Sequence, residues 1–343
     1  MKSISAIALA LVLLEYAQAV RFLGRVNPAT RELTWPGTGV SFTFTGSSAT
    51  IGLNVTGANS VLLTVDGTST VIPNVNGSSI STPAGLTKGN HTVELRKRSE
   101  AFFGSIFVGD VTTDGILGLD IIPSRKIEFI GDSITVGYGL DGVNPCTNTA
   151  EVEDHPKTYA ALTAQSLKAD YDTVAWSGIG LVRNTVGSSP SDPVMPTRWT
   201  RYGPNDADNS YAFPESEIPD TVVIALGTND FSNDGSRADL DMGNFTSAAV
   251  AFIRTIQTHY PDAQYFLLQS PMLSDGYPQG KTQWSSQKDA FNGAISQLNS
   301  TKVHFIGWQT QGSDVGCDYH PNAATHAAQA PIVAAAIAKE LGW

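Results

Sequence analysis

The sequence predicts two domains, an antiparallel β-sandwich over residues 20–122 and an α/β domain over residues 123–343. A chain of 343 residues is long enough for two domains of ordinary size. Between residues 40 and 115, short apolar runs with a period of two are separated by turn residues. After Pro123, strand-like runs alternate with helical ones, which is typical of a five-stranded parallel sheet with helices on both faces, in three layers.

Residues 1–19 are predicted to be a secretory signal peptide. Lys2 is followed by an apolar core of about ten residues and then by Ala17, Gln18 and Ala19, which form a small-x-small cleavage site. We therefore expect Val20 to begin the mature chain and the protein to be secreted. No membrane anchor is expected elsewhere in the chain, because the other apolar segments are too short.

The β-sandwich is predicted from alternating apolar residues. The run "VSFTFTG" places Val40, Phe42 and Phe44 on one face of a strand. The later runs "ATIGLNV", "VLLTVDG" and "HTVELRKR" continue the pattern, and Asp66 with Gly67 predicts a two-residue hairpin turn. Short strands joined by tight turns favour two packed antiparallel sheets.

Asparagine glycosylation is predicted at five N-x-S/T sequons, which fit a secreted chain in a glycosylating host. In the register of the sandwich strands, Asn54 lies on the solvent side, as a glycan requires. The five asparagines are Asn54, Asn76, Asn90, Asn244 and Asn299.

The α/β domain is predicted from five compact apolar runs, which are suited to the centre of a parallel sheet. They are "KIEFIG", "YDTVAW", "DTVVIALG", "AQYFLLQ" and "VHFIGW". Residues 244–260 place apolar side chains at three-and-four spacing and predict an amphipathic helix. A second helix is predicted over residues 331–343.

Cys146 and Cys317 are the only cysteines. In a secreted chain an even count favours one disulfide, the alternative being two free buried thiols. A bridge would join the region after Ser133 to the region before His320.

The charge balance argues against nucleic acid as a partner. The chain has 21 basic and 32 acidic residues, a net charge of −11, and its longest basic run is "RKR" at residues 96–98. His320 and His326 could be interpreted as metal ligands, but no cluster of Cys or Glu completes a set. We expect no metal, no cofactor and a monomer, with His326 in a structural or capping role.

Four loops follow the predicted strands of the α/β domain at their carboxyl ends, where ligands bind in such sheets. They carry "GDS" at residues 131–133, "WSGIG" at 176–180, "GTND" at 227–230 and "GCDYHPN" at 316–322. Each block alone is also ordinary turn chemistry. Together they are predicted to converge on one pocket.

The chemistry of these loops matches ester cleavage. Ser133 is the candidate nucleophile and His320 the candidate general base, while Asp318 could orient the imidazole. The backbone N–H groups of Ser133 and Gly178 and the side-chain amide of Asn229 would form an oxyanion hole. Asp132, directly before the nucleophile, is expected to brace the turn by hydrogen-bonding nearby backbone.

The order of the four blocks resembles the SGNH (GDSL-type) hydrolase family, over residues 129–322. Two stretches of the N-terminal domain, "RFLGRVN" and "WPGTGVSFTFTGSSATI", extend the resemblance. With them, the chain from about residue 21 onward resembles carbohydrate esterase family 2. That resemblance implies a jelly-roll β-sandwich joined to an SGNH hydrolase domain. It also implies a serine esterase that removes acetyl groups from plant cell-wall polysaccharides such as xylan or glucomannan.

Two departures from the SGNH pattern bear on the site. Most SGNH enzymes place the acid three residues before the histidine, where this chain has Cys317, whereas Asp318 is two before. Within family 2 the shorter spacing occurs, and some members use a backbone carbonyl in place of the acid. Gly180 is the alternative to Gly178 as an oxyanion donor.

Tyr319 and Trp176 could stack on a sugar ring of the acetylated polysaccharide substrate, although either could instead pack in the core. Two other functions are compatible with the fold. An SGNH lipase would act on longer acyl chains, and an inactive descendant would bind carbohydrate without cleaving it.

Overall fold

The computed structural model describes residues 19–343. The predicted signal peptide, apart from Ala19, lies outside the described residues. Within them, no helix is long and apolar enough to cross a membrane.

The N-terminal domain is a sandwich of two antiparallel sheets, as predicted. The first sheet has the strand order β1-β3-β8-β5-β6, with β10 also pairing with β3. Its strands are β1 Val20–Leu23, β3 Gly39–Gly46, β5 Val61–Val65, β6 Thr68–Ile72, β8 Gly89–Lys97 and β10 Ile116–Leu117. The second sheet has the order β2-β9-β4-β7. Its strands are β2 Glu32–Leu33, β4 Ala49–Gly57, β7 Ser79–Ser81 and β9 Gly104–Thr113.

The alternation in the sequence places the sandwich core where it was predicted. Val40, Phe42 and Phe44 are buried on one face of β3. The turn between β5 and β6 has Asp66 at φ 50° and Gly67 at φ 78°, the two positive values that a type I′ hairpin requires. The hairpin predicted from these two residues is therefore confirmed.

The α/β domain contains one parallel sheet of five strands in the order β12-β11-β13-β14-β15. The strands are β11 Lys126–Gly131, β12 Asp170–Ala175, β13 Thr221–Ala225, β14 Gln264–Leu268 and β15 Val303–Ile306. From β11 the chain moves to one side of the sheet and then returns to the other. The end of β11 is thus the topological switch point, where such sheets form a crevice.

Helices cover both faces of this sheet and give the predicted three layers. They are α1 Ser133–Val136, α2 Tyr159–Leu167, α3 Met195–Arg198, α4 Thr228–Phe231, α5 Met242–His259, α6 Gln283–Leu298 and α7 Ala323–Leu341. Phe245 of α5 and Phe291 of α6 belong to the apolar core on one face. Tyr159 of α2 and Val333 of α7 belong to the core on the other.

The last helix is longer than predicted. Helix α7 begins at Ala323 rather than at Pro331, and Asn322 caps it by accepting from the Thr325 N–H at 3.0 Å. The predicted range 331–343 therefore covers only the second part of this helix, and Pro331 lies inside it. As a result, α7 begins three residues after His320.

All five predicted glycosylation sites lie at exposed positions. Asn54 points away from the sandwich core, as its register predicts. Solvent access is what a glycan requires, and the modification itself stays a prediction.

The two domains share an extensive buried contact. Trp35 of the sandwich is fully buried within an apolar core of the α/β domain. Arg25 contributes a buried ion pair to Glu128 on β11 at 2.6 Å, and Arg21 bonds to Asp170 on β12 at 2.6 Å. The predicted boundary at residues 122–123 lies in the segment between β10 and β11.

Candidate active site

Ser133 lies directly after β11, as the first residue of the short helix α1. Its side chain is almost completely buried, with 5% exposed. Asp132 caps the helix, because its Oδ1 accepts from the Ile134 N–H at 3.0 Å. The expected role of Asp132 as a brace for this turn is confirmed.

His320 lies beside Ser133. Its Nε2 is 2.8 Å from Ser133 Oγ, which is hydrogen-bonding distance for proton transfer. The imidazole packs against the Tyr138 ring, with the centroids 4.1 Å apart and the planes inclined by 32°. Position and ring plane are therefore both fixed, although Ser133 and His320 are far apart in the chain.

Of the two candidate groups for orienting His320, the Asp318 carboxylate and a backbone carbonyl, the carboxylate makes no hydrogen bond to the imidazole in the described structure. The group within reach of His320 Nδ1 is the backbone carbonyl of Asp318, at 3.1 Å. The carboxylate accepts instead from the Tyr138 hydroxyl at 3.0 Å and from the Asn148 N–H at 2.9 Å. Asp318 has φ 51°, in the left-handed region, and this conformation brings its carbonyl to the ring while its side chain bonds elsewhere.

The imidazole of His320 is neutral at neutral pH. Burial lowers its pKa to about 4, against a smaller raising effect of the hydrogen bond to the Asp318 carbonyl. With Nδ1–H donated to that carbonyl, Nε2 is left with a lone pair toward Ser133. This is the tautomer that a general base needs.

The oxyanion loop, residues 176–180, follows β12, and its Trp176 N–H donates to the Gly131 carbonyl at the end of β11 at 3.3 Å. Ile179 N–H donates to the Trp176 carbonyl at 3.3 Å, and Gly178 occupies the third turn position with φ 79°, which a type II turn demands of glycine. The Gly178 N–H has no acceptor among residues 19–343. By contrast, the Gly180 N–H donates to Asn184 Oδ1 at 3.0 Å, so it is already used.

Asn229 lies in α4, after β13, and contacts the same loop. Its Nδ2 donates one hydrogen to the Ile179 carbonyl at 2.7 Å, which leaves the second amide hydrogen for a ligand. The Ser133 N–H has no acceptor within the described part of the chain either. The three predicted oxyanion donors therefore lie on converging loops, with Gly178 favoured over Gly180.

Asp230 was not predicted to have a role, yet it holds the chain after the oxyanion loop. Its buried carboxylate accepts from the N–H groups of three consecutive residues at 2.7 to 3.0 Å. These are Leu181, Val182 and Arg183. Asp230, the last residue of "GTND", thus fixes the chain that directly follows the "WSGIG" block.

The predicted disulfide between Cys146 and Cys317 is present. Two main-chain hydrogen bonds flank it, from the Cys317 N–H to the Gly139 carbonyl and from the Asp318 N–H to the Cys146 carbonyl, each at 3.0 Å. The bridge ties the histidine loop, residues 316–320, to the segment that follows the nucleophile.

Three aromatic rings with exposed surface, those of Tyr319, Trp176 and Phe102, are candidates for contact with a sugar. Tyr319, the neighbour of His320, is 69% exposed. Trp176 is packed on one face by the Arg198 guanidinium at 4.5 Å, and its ring lies edge-on to Phe102 with the centroids 6.2 Å apart. Phe102 belongs to the sandwich and is 67% exposed. It could not be predicted to lie here, because its contact with Trp176 depends on how the two domains pack.

His326 does not face the site. It is buried in α7, and its Nδ1 accepts from the Tyr159 N–H at 3.1 Å. Burial lowers its pKa to about 3, so it is a neutral structural residue.

Sequence profiles of known families match both halves of the chain. The GDSL-like lipase/acylhydrolase family matches residues 129–328. The N-terminal domain of carbohydrate esterase 2 matches residues 22–118.

Characterised proteins are similar over most of the chain. A solved structure described as a carbohydrate esterase family 2 enzyme plus carbohydrate binding domain, from Corynascus thermopiles (Myceliophthora fergusii), is 60% identical with a TM-score of 0.92, over 94% of this chain and 100% of that one. The cellulase/esterase CelE of Acetivibrio thermocellus is 32% identical over 92% of this chain, which spans only 38% of the length of CelE. An acetylxylan esterase / glucomannan deacetylase of Cellvibrio japonicus is 29% identical, over 87% of this chain and 82% of its own length.

Proposed function

Because the chain belongs to carbohydrate esterase family 2, we propose that it removes acetyl groups from sugar hydroxyls of plant cell-wall polysaccharides such as xylan or glucomannan. The observation that carries the proposal is the 2.8 Å contact between Ser133 Oγ and a neutral His320. A similar relative from Cellvibrio japonicus carries the name acetylxylan esterase / glucomannan deacetylase. That similarity supports both the reaction class and the polymer class of the proposal.

In the first step, Ser133 Oγ attacks the acetyl carbonyl while His320 Nε2 takes the hydroxyl proton. The carbonyl oxygen becomes an oxyanion, which the N–H groups of Ser133 and Gly178 and the amide of Asn229 stabilise. The tetrahedral intermediate collapses, and the sugar alcohol leaves with the proton from His320. An acetyl ester on Ser133 remains.

In the second step, water replaces the sugar alcohol. His320 takes a proton from the water, and the resulting hydroxide attacks the acetyl carbonyl of the Ser133 ester. The same donors stabilise the second oxyanion. Collapse releases acetate, and His320 returns the proton to Ser133 Oγ.

His320 needs an orienting group, and the Asp318 carbonyl supplies it. A carbonyl accepts the Nδ1–H and fixes the tautomer, but it carries no full charge to stabilise the imidazolium that forms during each step. We therefore assign a catalytic pair, Ser133 and His320, with the Asp318 main chain as its support.

Tyr319 is the proposed sugar-stacking residue, because its ring is exposed next to His320. Trp176 is the weaker candidate, since Arg198 already covers one face of its ring.

Secretion is proposed together with the activity. It is supported by the predicted signal peptide, by the disulfide and by the exposed sequon asparagines. A polymeric substrate outside the cell requires an enzyme that leaves the cell.

Substrate preference tests the proposal. We expect the purified protein to release acetate from acetylated xylan and acetylated glucomannan, and to cleave 4-nitrophenyl acetate much faster than 4-nitrophenyl esters of eight or more carbons. A preference for the long esters would identify a lipase instead. No acetate release from either polysaccharide would favour a carbohydrate-binding protein.

A further inference from the structure

We propose that Glu100, in the β-sandwich, is a positioning residue for the oxyanion loop of the α/β domain. The proposal rests on the proposed esterase function, because it concerns the same active site. Glu100 lies in the junction loop, residues 98–103, between β8 and β9. Its side chain is buried, with 1% exposed, and no step of the mechanism uses it.

Hydrogen bonds fasten the junction loop to the α/β domain. Arg98 Nη2 donates to Asp154 Oδ2 at 3.0 Å, and both side chains are buried. The main-chain N–H of Glu100 donates to Glu153 Oε2 at 2.7 Å. The loop is therefore a fixed support rather than a free connection between two strands.

The carboxylate of Glu100 reaches the oxyanion loop directly. Its Oε2 accepts from the Ser177 N–H at 2.9 Å. The next N–H along the chain belongs to Gly178, the proposed oxyanion donor. Within the α/β domain the turn from Trp176 to Ile179 is closed by a long bond of 3.3 Å, and Asn229 Nδ2 donates to the Ile179 carbonyl at 2.7 Å. The Glu100 carboxylate adds an acceptor from the other domain at the N–H next to Gly178.

The same carboxyl cluster also reaches the histidine loop. Glu153 Oε1 accepts from Asn148 Nδ2 at 2.7 Å, and the Asn148 N–H donates to the Asp318 carboxylate at 2.9 Å. The side chains of Glu100 and Glu153 are both buried, and this burial raises the pKa of both carboxyl groups. Glu100 and Glu153, at the domain junction, are thus hydrogen-bonded both to the oxyanion loop and, through Asn148, to the histidine loop.

Losing the acceptor at Ser177 is expected to act on catalysis more than on binding. The hydrogen bond from the Gly178 N–H to the substrate carbonyl oxygen becomes strong only when that oxygen acquires negative charge, which happens in the transition state. A misplacement of about 1 Å in such a site can cost roughly a hundredfold in rate. The expected signature is a lower kcat with a nearly unchanged KM.

A matched pair of variants tests the proposal. Glu100→Gln keeps an oxygen acceptor for the Ser177 N–H, whereas Glu100→Met has a similar length and no oxygen. With 4-nitrophenyl acetate, we expect Glu100→Gln to keep kcat within about threefold and Glu100→Met to lower it by about tenfold or more, with KM within about twofold in both.

Two further variants separate positioning from stability. Glu100→Asp keeps the carboxyl group but withdraws its oxygens by one methylene, so we expect it to lose kcat as Glu100→Met does. Ser60→Ala removes the bond from Ser60 Oγ to the Ala150 carbonyl at 2.5 Å, which crosses the same junction without contacting the oxyanion loop. We expect Ser60→Ala to lower Tm and to leave kcat unchanged.

Equal kcat values for Glu100→Gln and Glu100→Met would overturn the proposal. Wild-type kcat in a folded Glu100→Asp variant would overturn it as well, and this comparison with Glu100→Gln decides the matter if Glu100→Met does not fold. A wild-type protein that releases no acetate from any ester would overturn the proposed function instead. The two failures are therefore distinguishable.

Discussion

His320 is oriented by main chain rather than by a carboxylate. The Asp318 carbonyl takes the position that an acidic side chain has in a Ser-His-Asp triad, while the carboxylate of the same residue bonds to Tyr138 and Asn148. The sequence could identify Asp318 as the residue, since it lies two positions before His320. It could not identify the atom, because a backbone conformation with φ 51° is not encoded in spacing.

Replacing the Asp318 carboxylate is therefore expected to have a modest effect. Asp318→Asn keeps the backbone carbonyl, and asparagine tolerates the left-handed conformation. We expect kcat/KM to fall by less than about tenfold, whereas removing the charge of a triad aspartate costs about 10⁴. A loss of several orders of magnitude in acetate release would show that the carboxylate acts on His320 after all.

The pH profile reports the environment of His320. Its imidazole must be neutral to accept the Ser133 proton, and burial lowers its pKa from 6.5 to about 4. Protonation then occurs only as the pH falls through about 4, so kcat/KM should stay level from neutral pH down to about 5 and decline below that. Acetate release at a series of pH values checks this, with recovery of activity at neutral pH as the control for unfolding. An acid limb near 6.5 would mean a solvent-exposed imidazole.

The histidine loop depends on elements distant in the chain. Cys317 is bridged to Cys146, and the loop is also hydrogen-bonded to Gly139. The sequence was sufficient to predict four site residues as a group, because each lies next to the end of a helix or strand and the carboxyl ends of parallel strands converge. These are Ser133, Gly178, Asn229 and His320. Glu100 could not be predicted, because its contact depends on how two domains pack.

Removing the disulfide should destabilise the protein. The bridge closes a sequence separation of 171 residues, for which the chain-entropy argument gives an upper value of about 5 kcal/mol. We expect the Cys146→Ala/Cys317→Ala variant to unfold at a lower guanidinium concentration, followed by tryptophan fluorescence. Wild-type protein carried through the same titration with its disulfide intact is the reference. An unchanged midpoint would contradict a stabilising role.

The two domains form one structural unit, because their junction contains both buried apolar contacts and a buried ion pair. Trp35 of the sandwich belongs to the apolar core of the α/β domain, and Arg25 is paired with Glu128 in the interior. The period-two and alternating patterns were sufficient to predict each domain separately. The junction was not predictable, because single charged residues such as Arg25 carry no periodicity that indicates burial.

Thermal unfolding should show this coupling. We expect one cooperative calorimetric transition for the intact chain, since separating the domains would expose Trp35 and a buried ion pair. Arg25→Ala leaves Glu128 buried without its partner, at a cost of about 3 to 5 kcal/mol, and should move the whole transition to lower temperature. Two resolved transitions, with only one of them shifted, would mean that the domains unfold independently.

The most direct test of the central claim is the rate of acetate release from acetylated glucomannan by the wild-type protein and by Ser133→Ala, after matching Tm values show that both are folded. Ser133 as nucleophile predicts release by the wild type and a rate at least about 10³-fold lower for the variant. A folded Ser133→Ala protein that releases acetate at the wild-type rate would contradict the assignment.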